Sequence, residues 1–306
     1  VWRAWLEQLR PACWLLFLTH GYLGFIVGAR APLPAWDRFA LDHRVWEWLA
    51  EGRDFWLALI CLGPLLGGFS LLLDDLYDYE TDRRNPRRCT LPTVQGILSS
   101  RTVRCVAWGQ AGAGLLLALA ISPVFFVLAG IGGALGWAYA AEPWRTKSRA
   151  GWDVVTNALG VAVICPLAGW SLTQPVGDFP WGLAVVNALG AAGAYIGTAI
   201  MDEPYDRAAG LRTIAVALGT GPAKKLGWAL WLLYLFGLMG ASALGYGLPR
   251  TLLPLVLGLS PFFVGQYARV LWAAGEPRAC WRRVVELCAL WHVLVLGLAI
   301  LYAASS

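Results

Sequence analysis

The chain has 306 residues, 58% of them hydrophobic and 14% charged, with a formal net charge of +5, whereas soluble domains carry about 25% charged residues. A charge content this low, combined with uninterrupted apolar runs of about 20 residues, argues against a soluble enzyme and points to lipid. The Lys and Arg residues sit in short connections between the runs and form no basic domain, so no nucleic-acid partner is expected.

Taken in chain order, apolar runs bounded by charges, Pro or Gly predict nine membrane spans, near 11–29, 55–76, 103–121, 123–141, 152–173, 181–202, 226–247, 251–272 and 284–303. The first run is too long, and lacks the small-residue cleavage site, to be a removed signal peptide, and it reads as the first span. The longest polar connection, 30–54, balances its basic residues with Asp37, Asp42, Glu47, Glu51 and Asp54. Trp46 and Trp48 suggest that it contains an interfacial helix. No soluble domain is left over, so the expected architecture is all-α, a single intramembrane domain over 1–306 with nine helices bundled around a central cavity open to lipid. The cysteines Cys13, Cys61, Cys89, Cys105, Cys165, Cys280 and Cys288 form no CxxC pair and imply neither zinc nor a disulfide framework.

With the N-terminus inside, 19 of the 24 Lys and Arg residues fall in cytoplasmic segments. That topology places the N-terminus on the cytoplasmic face and the C-terminus on the opposite side. Spans two and six then both run inward, and each ends in aspartates: DDLYDYETD at 74–82 and DEPYD at 202–206. At about 100° per residue, Asp74, Asp75, Asp78 and Asp82 share one arc of a continuous helix, and Asp202 and Asp206 share a face one turn apart. Like charges stacked this way destabilise a helix unless a counter-charge sits between them, and carboxylates near lipid carry a further solvation cost. A bound cation resolves both, and oxygen-only donors that leave positions for phosphate suit Mg²⁺. The metal candidates are therefore Asp74, Asp75, Asp78, Asp82, Asp202 and Asp206, with Asp74, Asp78, Asp202 and Asp206 carrying the catalysis.

Span four ends on the same side in WAYAAEPWRTK, which brings Tyr139, Arg145 and Lys147 to that level, and Arg207 and Arg212 follow the second cluster. Acids interspersed with guanidinium and ammonium groups suggest a polyanion bridged by metal on one side and bases on the other, a role that diphosphate fits. Candidate acceptor contacts are His20 in span one and the pair Asp153 and Asn157, one turn apart on span five.

These residues resemble the UbiA superfamily of intramembrane prenyltransferases, whose NDxxDxxxD and DxxxD stretches correspond to Asp74 through Asp82 and to Asp202 through Asp206. DYETDRRNPRR at 78–88, PTVQG at 92–96, WAYAAEPWRTK at 137–147 and DRAAGLRTIAVALG at 206–219 match the surrounding pattern. Two positions depart from it: Asp74 replaces the usual Asn, and Leu91 replaces a basic residue before the loop proline. The resemblance implies transfer of a polyprenyl group from its diphosphate to a hydrophobic acceptor in membrane lipid, with two Mg²⁺ ions, one per cluster. Residues 78–88 look like carotenoid-elongating members and 137–147 like the chlorophyll-synthase branch, so aromatic, tetrapyrrole, carotenoid and lipid acceptors all stay open. A terpene cyclase on the same scaffold is the enzymatic alternative, and a cation-coupled transporter the non-enzymatic one. The aspartates follow about 19 and 21 apolar residues, about 30 Å of helix, which puts them at the membrane edge rather than the midplane a transporter favours.

Overall fold

The structure, a computed structural model, describes residues 2–35, 45–273 and 276–305. Asp37 and Asp42, and the side chain of Glu47, lie outside what is described. Among the described residues nine helices are long and apolar enough to cross a membrane: α1 (Pro11–Ala29), α2 (Arg53–Tyr77), α3 (Ser100–Ile121), α4 (Pro123–Ala140), α5 (Trp152–Trp170), α6 (Trp181–Ala208), α7 (Thr220–Leu244), α8 (Arg250–Trp272) and α9 (Arg278–Ala304). A short helix, Trp2–Leu9, precedes α1, and another, Val45–Glu51, lies in the long connection where Trp46 and Trp48 suggested one. Several helices outrun their apolar cores. The α6 helix carries both Asp202 and Asp206 within regular helix, and α7 begins at Thr220, because backbone hydrogen bonding continues past the point where hydropathy falls.

Local sequence explains the ends and the irregularities. Ser99 and Ser122 cap α3 and α4, accepting from the Thr102 and Phe125 amides at 3.1 and 3.0 Å, and Pro123 occupies the first turn of α4, where no amide is needed. Pro64 cannot donate, and the α2 helix widens to π geometry over Cys61–Gly67; the Pro64 carbonyl is taken by Gln110 Nε2 at 3.0 Å. The α5 helix has a similar π stretch, Gly160–Ile164, just before Pro166.

The helices close into a ring in which α1 meets both α2 and α9, α4 meets α5, and α6 packs broadly on α7. Inside the ring lies a cavity of ≈ 320 Å³, lined by α1, α2, α4, α5 and α6, with Trp281 of α9 at its rim. Leu62, Leu66, Leu128, Ile164 and Cys165 line its apolar part, so both π stretches face into it. Beyond Cys165 the α1 and α5 backbones touch. A Cβ on Gly24 would collide with the Pro166 carbonyl, and one on Gly169 with the Gly21 carbonyl. This close crossing depends on small residues, as helix packing in lipid generally does.

Candidate active site

The α2 helix delivers Asp74 and Asp75 in its last turn and then stops. Asp78, at φ −99 and ψ 9, breaks the helix, and a separate turn, Tyr79–Asp82, carries Asp82. The continuous helix expected from spacing is thus kinked within the cluster, and of its four aspartates Asp75 alone is absent from the cavity lining. Asp74 and Asp78 line the cavity and share Lys147, whose Nζ lies 2.7 Å from an oxygen of each. Arg145 reaches Asp78 at 3.4 Å and the Tyr77 carbonyl at 3.0 Å. Arg88 sits among Asp74, Asp75 and Asp82 at 3.7, 3.1 and 3.7 Å. Asp75 turns away from the cavity and is held by Gln8, Arg10 and Arg88.

Burial sets the electrostatics. It pushes the Asp78 carboxyl above the ordinary range, with Lys147 opposing and Asp74 adding, and it pushes Asp82 up to about 8. Burial alone would lower Lys147 and Arg88. The carboxylates around them more than offset it, and both stay above their usual values, hence charged. Arg87 is lowered by burial and by its neighbour Arg88.

On α6, Asp202 accepts from Asn85 Nδ2 at 3.0 Å and pairs with Arg87 at 3.0 Å, while Arg87 also lies over the Trp281 ring, 4.9 Å from its centre. Asp206 is buried, and among the described residues no Lys or Arg pairs with it. The segment 85–88 therefore laces the two stretches together: Arg88 holds the first, and Asn85 and Arg87 hold the second.

Of the other residues singled out by sequence, Tyr139 and Asn157 line the cavity, and the Tyr139 hydroxyl donates to Tyr195 at 3.2 Å. Arg207 is exposed and pairs with Glu203, and exposed Arg212 joins Arg149 in a backbone bridge, so neither reaches the cavity. Asp153 accepts from the Ile214 and Gly151 amides at 2.7 and 2.8 Å, fastening the start of α5 to the 210–214 turn. His20 stacks on Trp291 of α9 at 4.3 Å, outside the cavity lining. Sequence reasoning missed Arg10, Asn85, Arg87, Arg88 and Trp281, all of which line the cavity. The second basic pair after the acidic run, Arg87 and Arg88, was the available signal, and it was absorbed into the topology count.

Among the described residues no three Asp, Glu, His or Cys side chains converge on one cation position; Lys147, Arg88 and Arg87 take up carboxylate oxygens there instead. The donor set still fits a hard divalent cation: it is all oxygen, Asp82 Oδ2 is buried without a partner, and among the described residues no base pairs with Asp206. The Nε donors of Arg10, Arg87 and Arg145 are likewise buried and unpartnered, which suits an anion with many acceptor oxygens. A larger concavity of ≈ 810 Å³ opens at the opposite end of the bundle, with Arg30 and Asp178 as its charged residues and no acidic cluster.

Comparison with known proteins gives this arrangement a context. The UbiA prenyltransferase family profile matches residues 39–303. The chain is 28% identical over 239 residues to the chlorophyll synthase of Oryza sativa, a match covering 73% of this chain and 57% of that protein. It is 30% identical over 182 residues to the bacteriochlorophyll synthase 34 kDa chain of Chloroflexus aurantiacus, covering 56% of this chain and 54% of that one. The fold superposes on that of a UbiA homologue from Archaeoglobus fulgidus bound to GPP and Mg²⁺, with a TM-score of 0.69 at 23% identity, over 94% of this chain and 99% of the other.

Proposed function

The chain belongs to the UbiA prenyltransferase family, and from that premise we propose that it transfers a polyprenyl group from its diphosphate to a hydrophobic acceptor inside the membrane. The observation that carries this reading is the set of buried, unpartnered guanidinium donors on Arg10 and Arg87, placed with the aspartates at the polar rim of an apolar cavity. The rim takes the diphosphate, and the cavity takes the tail. Asp74, Asp78 and Asp82 from one stretch, and Asp202 and Asp206 from the other, would hold Mg²⁺, one ion per stretch. Mg²⁺ supplies Lewis-acid neutralisation of the leaving diphosphate.

The chain's own residues do the rest. Arg10, Arg87, Arg88, Arg145 and Lys147 donate to the diphosphate oxygens as the allylic carbon–oxygen bond breaks and its electron pair leaves with the diphosphate. Leu62, Leu66, Leu128 and Ile164 keep water from the allylic cation until the acceptor's nucleophile bonds to it, with loss of a proton from the acceptor. Tyr139 and Asn157 offer polar contacts to an acceptor from the cavity wall; His20 and Asp153, committed elsewhere, do not. Nine spans and the distribution of basic residues support an integral, multi-pass protein with this rim on the cytoplasmic face.

The test is diphosphate release from geranylgeranyl diphosphate by protein in detergent, with and without Mg²⁺ and with tetrapyrrole, carotenoid and aromatic acceptors in turn. Release that requires both Mg²⁺ and one acceptor class supports the transferase and names the class. Acceptor-independent release with a cyclic hydrocarbon product would move the assignment to a cyclase. No release with any donor length sinks the catalytic reading.

A further inference from the structure

Asp75 sits in the middle of the aspartate series, yet its surroundings differ from those of its neighbours. Its side chain is 0% exposed, and both oxygens are engaged. Oδ2 accepts from Gln8 Nε2 at 2.8 Å, while Oδ1 accepts from Arg10 at 2.6 Å and from Arg88 at 3.1 Å. Gln8, itself fully buried, uses its other amide atom to accept from the Thr93 backbone at 3.0 Å. One carboxylate therefore joins the helix Trp2–Leu9, the end of α2 and the 85–98 segment.

Arg10 makes the join consequential. It occupies the break between Trp2–Leu9 and α1 in a left-handed conformation, φ 47, which a non-glycine residue adopts only when its surroundings hold it there. Its guanidinium is fixed by Asp75 and by the Leu71 carbonyl at 3.2 Å, and it lines the cavity. A metal ion on Asp75 would have to displace both guanidiniums and strip Arg10 of its ion-pair partner, a costly exchange. Asp74 and Asp78 face the cavity; Asp75 does not.

We propose that Asp75 is a positioning residue and not a metal ligand: with Gln8 it pins the helix Trp2–Leu9 and sets Arg10 and Arg88 at the angle from which they meet the diphosphate. The pin itself is independent of the transferase reading; the diphosphate contact rests on it. The outward side of the same helix carries exposed Trp2 and Leu6, so the pin also links a surface suited to the lipid interface with the diphosphate rim.

Asp75→Asn and Gln8→Leu, prepared in lipid nanodiscs beside Asp206→Asn, separate the two roles. Three measurements are made: inorganic pyrophosphate binding by calorimetry, Mn²⁺ binding by electron paramagnetic resonance with pyrophosphate present, and amide exchange over residues 2–10. Loss of a charge-assisted hydrogen bond predicts that pyrophosphate binds about tenfold more weakly in both pin variants. Exchange over 2–10 accelerates, while Mn²⁺ binding at saturating pyrophosphate stays at the wild-type level. Asp206→Asn instead loses Mn²⁺. The proposal is overturned if Asp75→Asn loses Mn²⁺ as Asp206→Asn does, or if both pin variants leave pyrophosphate binding and exchange unchanged. Should Asp75→Asn fail to fold, Gln8→Leu carries the same expectations. Wild-type protein that binds no pyrophosphate would count against the transferase reading, and the exchange measurement would then decide the pin alone.

Discussion

In the first stretch every aspartate has a basic partner: Lys147 for Asp74 and Asp78, Arg10 for Asp75, and Arg88 spread over Asp74, Asp75 and Asp82. In the second, Arg87 serves Asp202, and among the described residues Asp206 has no such partner. The residue types and the depth are alike, but the electrostatic debt is not. The first stretch keeps a set of bases charged and in place before any ligand arrives. The second keeps a buried carboxylate with no basic partner at ion-pair distance, a position open to a cation from outside.

If that contrast is right, the two stretches respond oppositely to loss of charge. The largest effect is expected for Asp206→Asn, which should lower diphosphate release about a thousandfold. It should also raise the thermal midpoint measured in EDTA by about 3 °C or more, because a buried carboxyl without a basic partner is replaced by a neutral amide. Lys147→Met should lower release about a hundredfold and move the EDTA midpoint downward, since Asp74 and Asp78 then repel each other; added Mg²⁺ should restore much of the midpoint. Equal shifts of the same sign in the two variants would break the comparison. Asn85→Ala, which loosens only the lacing between the stretches, should cost about tenfold in release and leave each stretch's compensation intact.

The smallest effect is a pH dependence. Asp82 is raised to about 8 by burial, so the folded protein holds a proton that the unfolded chain gives up near the ordinary carboxylate value. Stability in EDTA should therefore fall as pH rises between those two values, and Asp82→Asn should flatten the fall. A midpoint that rises with pH over this window in wild-type protein but not in the variant would show Asp82 to be stabilised as an anion.

Much of this was legible in the sequence. The nine spans follow from the lengths of the apolar runs, and the shared side of both aspartate stretches follows from counting spans between them. What was not legible depends on backbone events and on partners distant in sequence. Asp75 sits one residue, about 100° of regular helix, from Asp74, and that step alone turns it off the cavity side. Gln8 is 67 residues from Asp75, and no local pattern reports that contact. Arg87 and Arg88 read as topology markers because any base on that face would. His20 was a plausible cavity residue until α9 placed Trp291 against it. Asp153 carries charge in the sequence but spends it on the amides of Ile214 and Gly151.

The glycine crossing of α1 and α5 has a kinetic consequence. Where Gly24 meets Pro166 and Gly169 meets Gly21, the chamber is shut by main chain, which no side-chain rotation can open. A donor tail that reaches that crossing cannot gain room from a rotamer change, so turnover should fall once the tail is longer than the apolar part of the chamber.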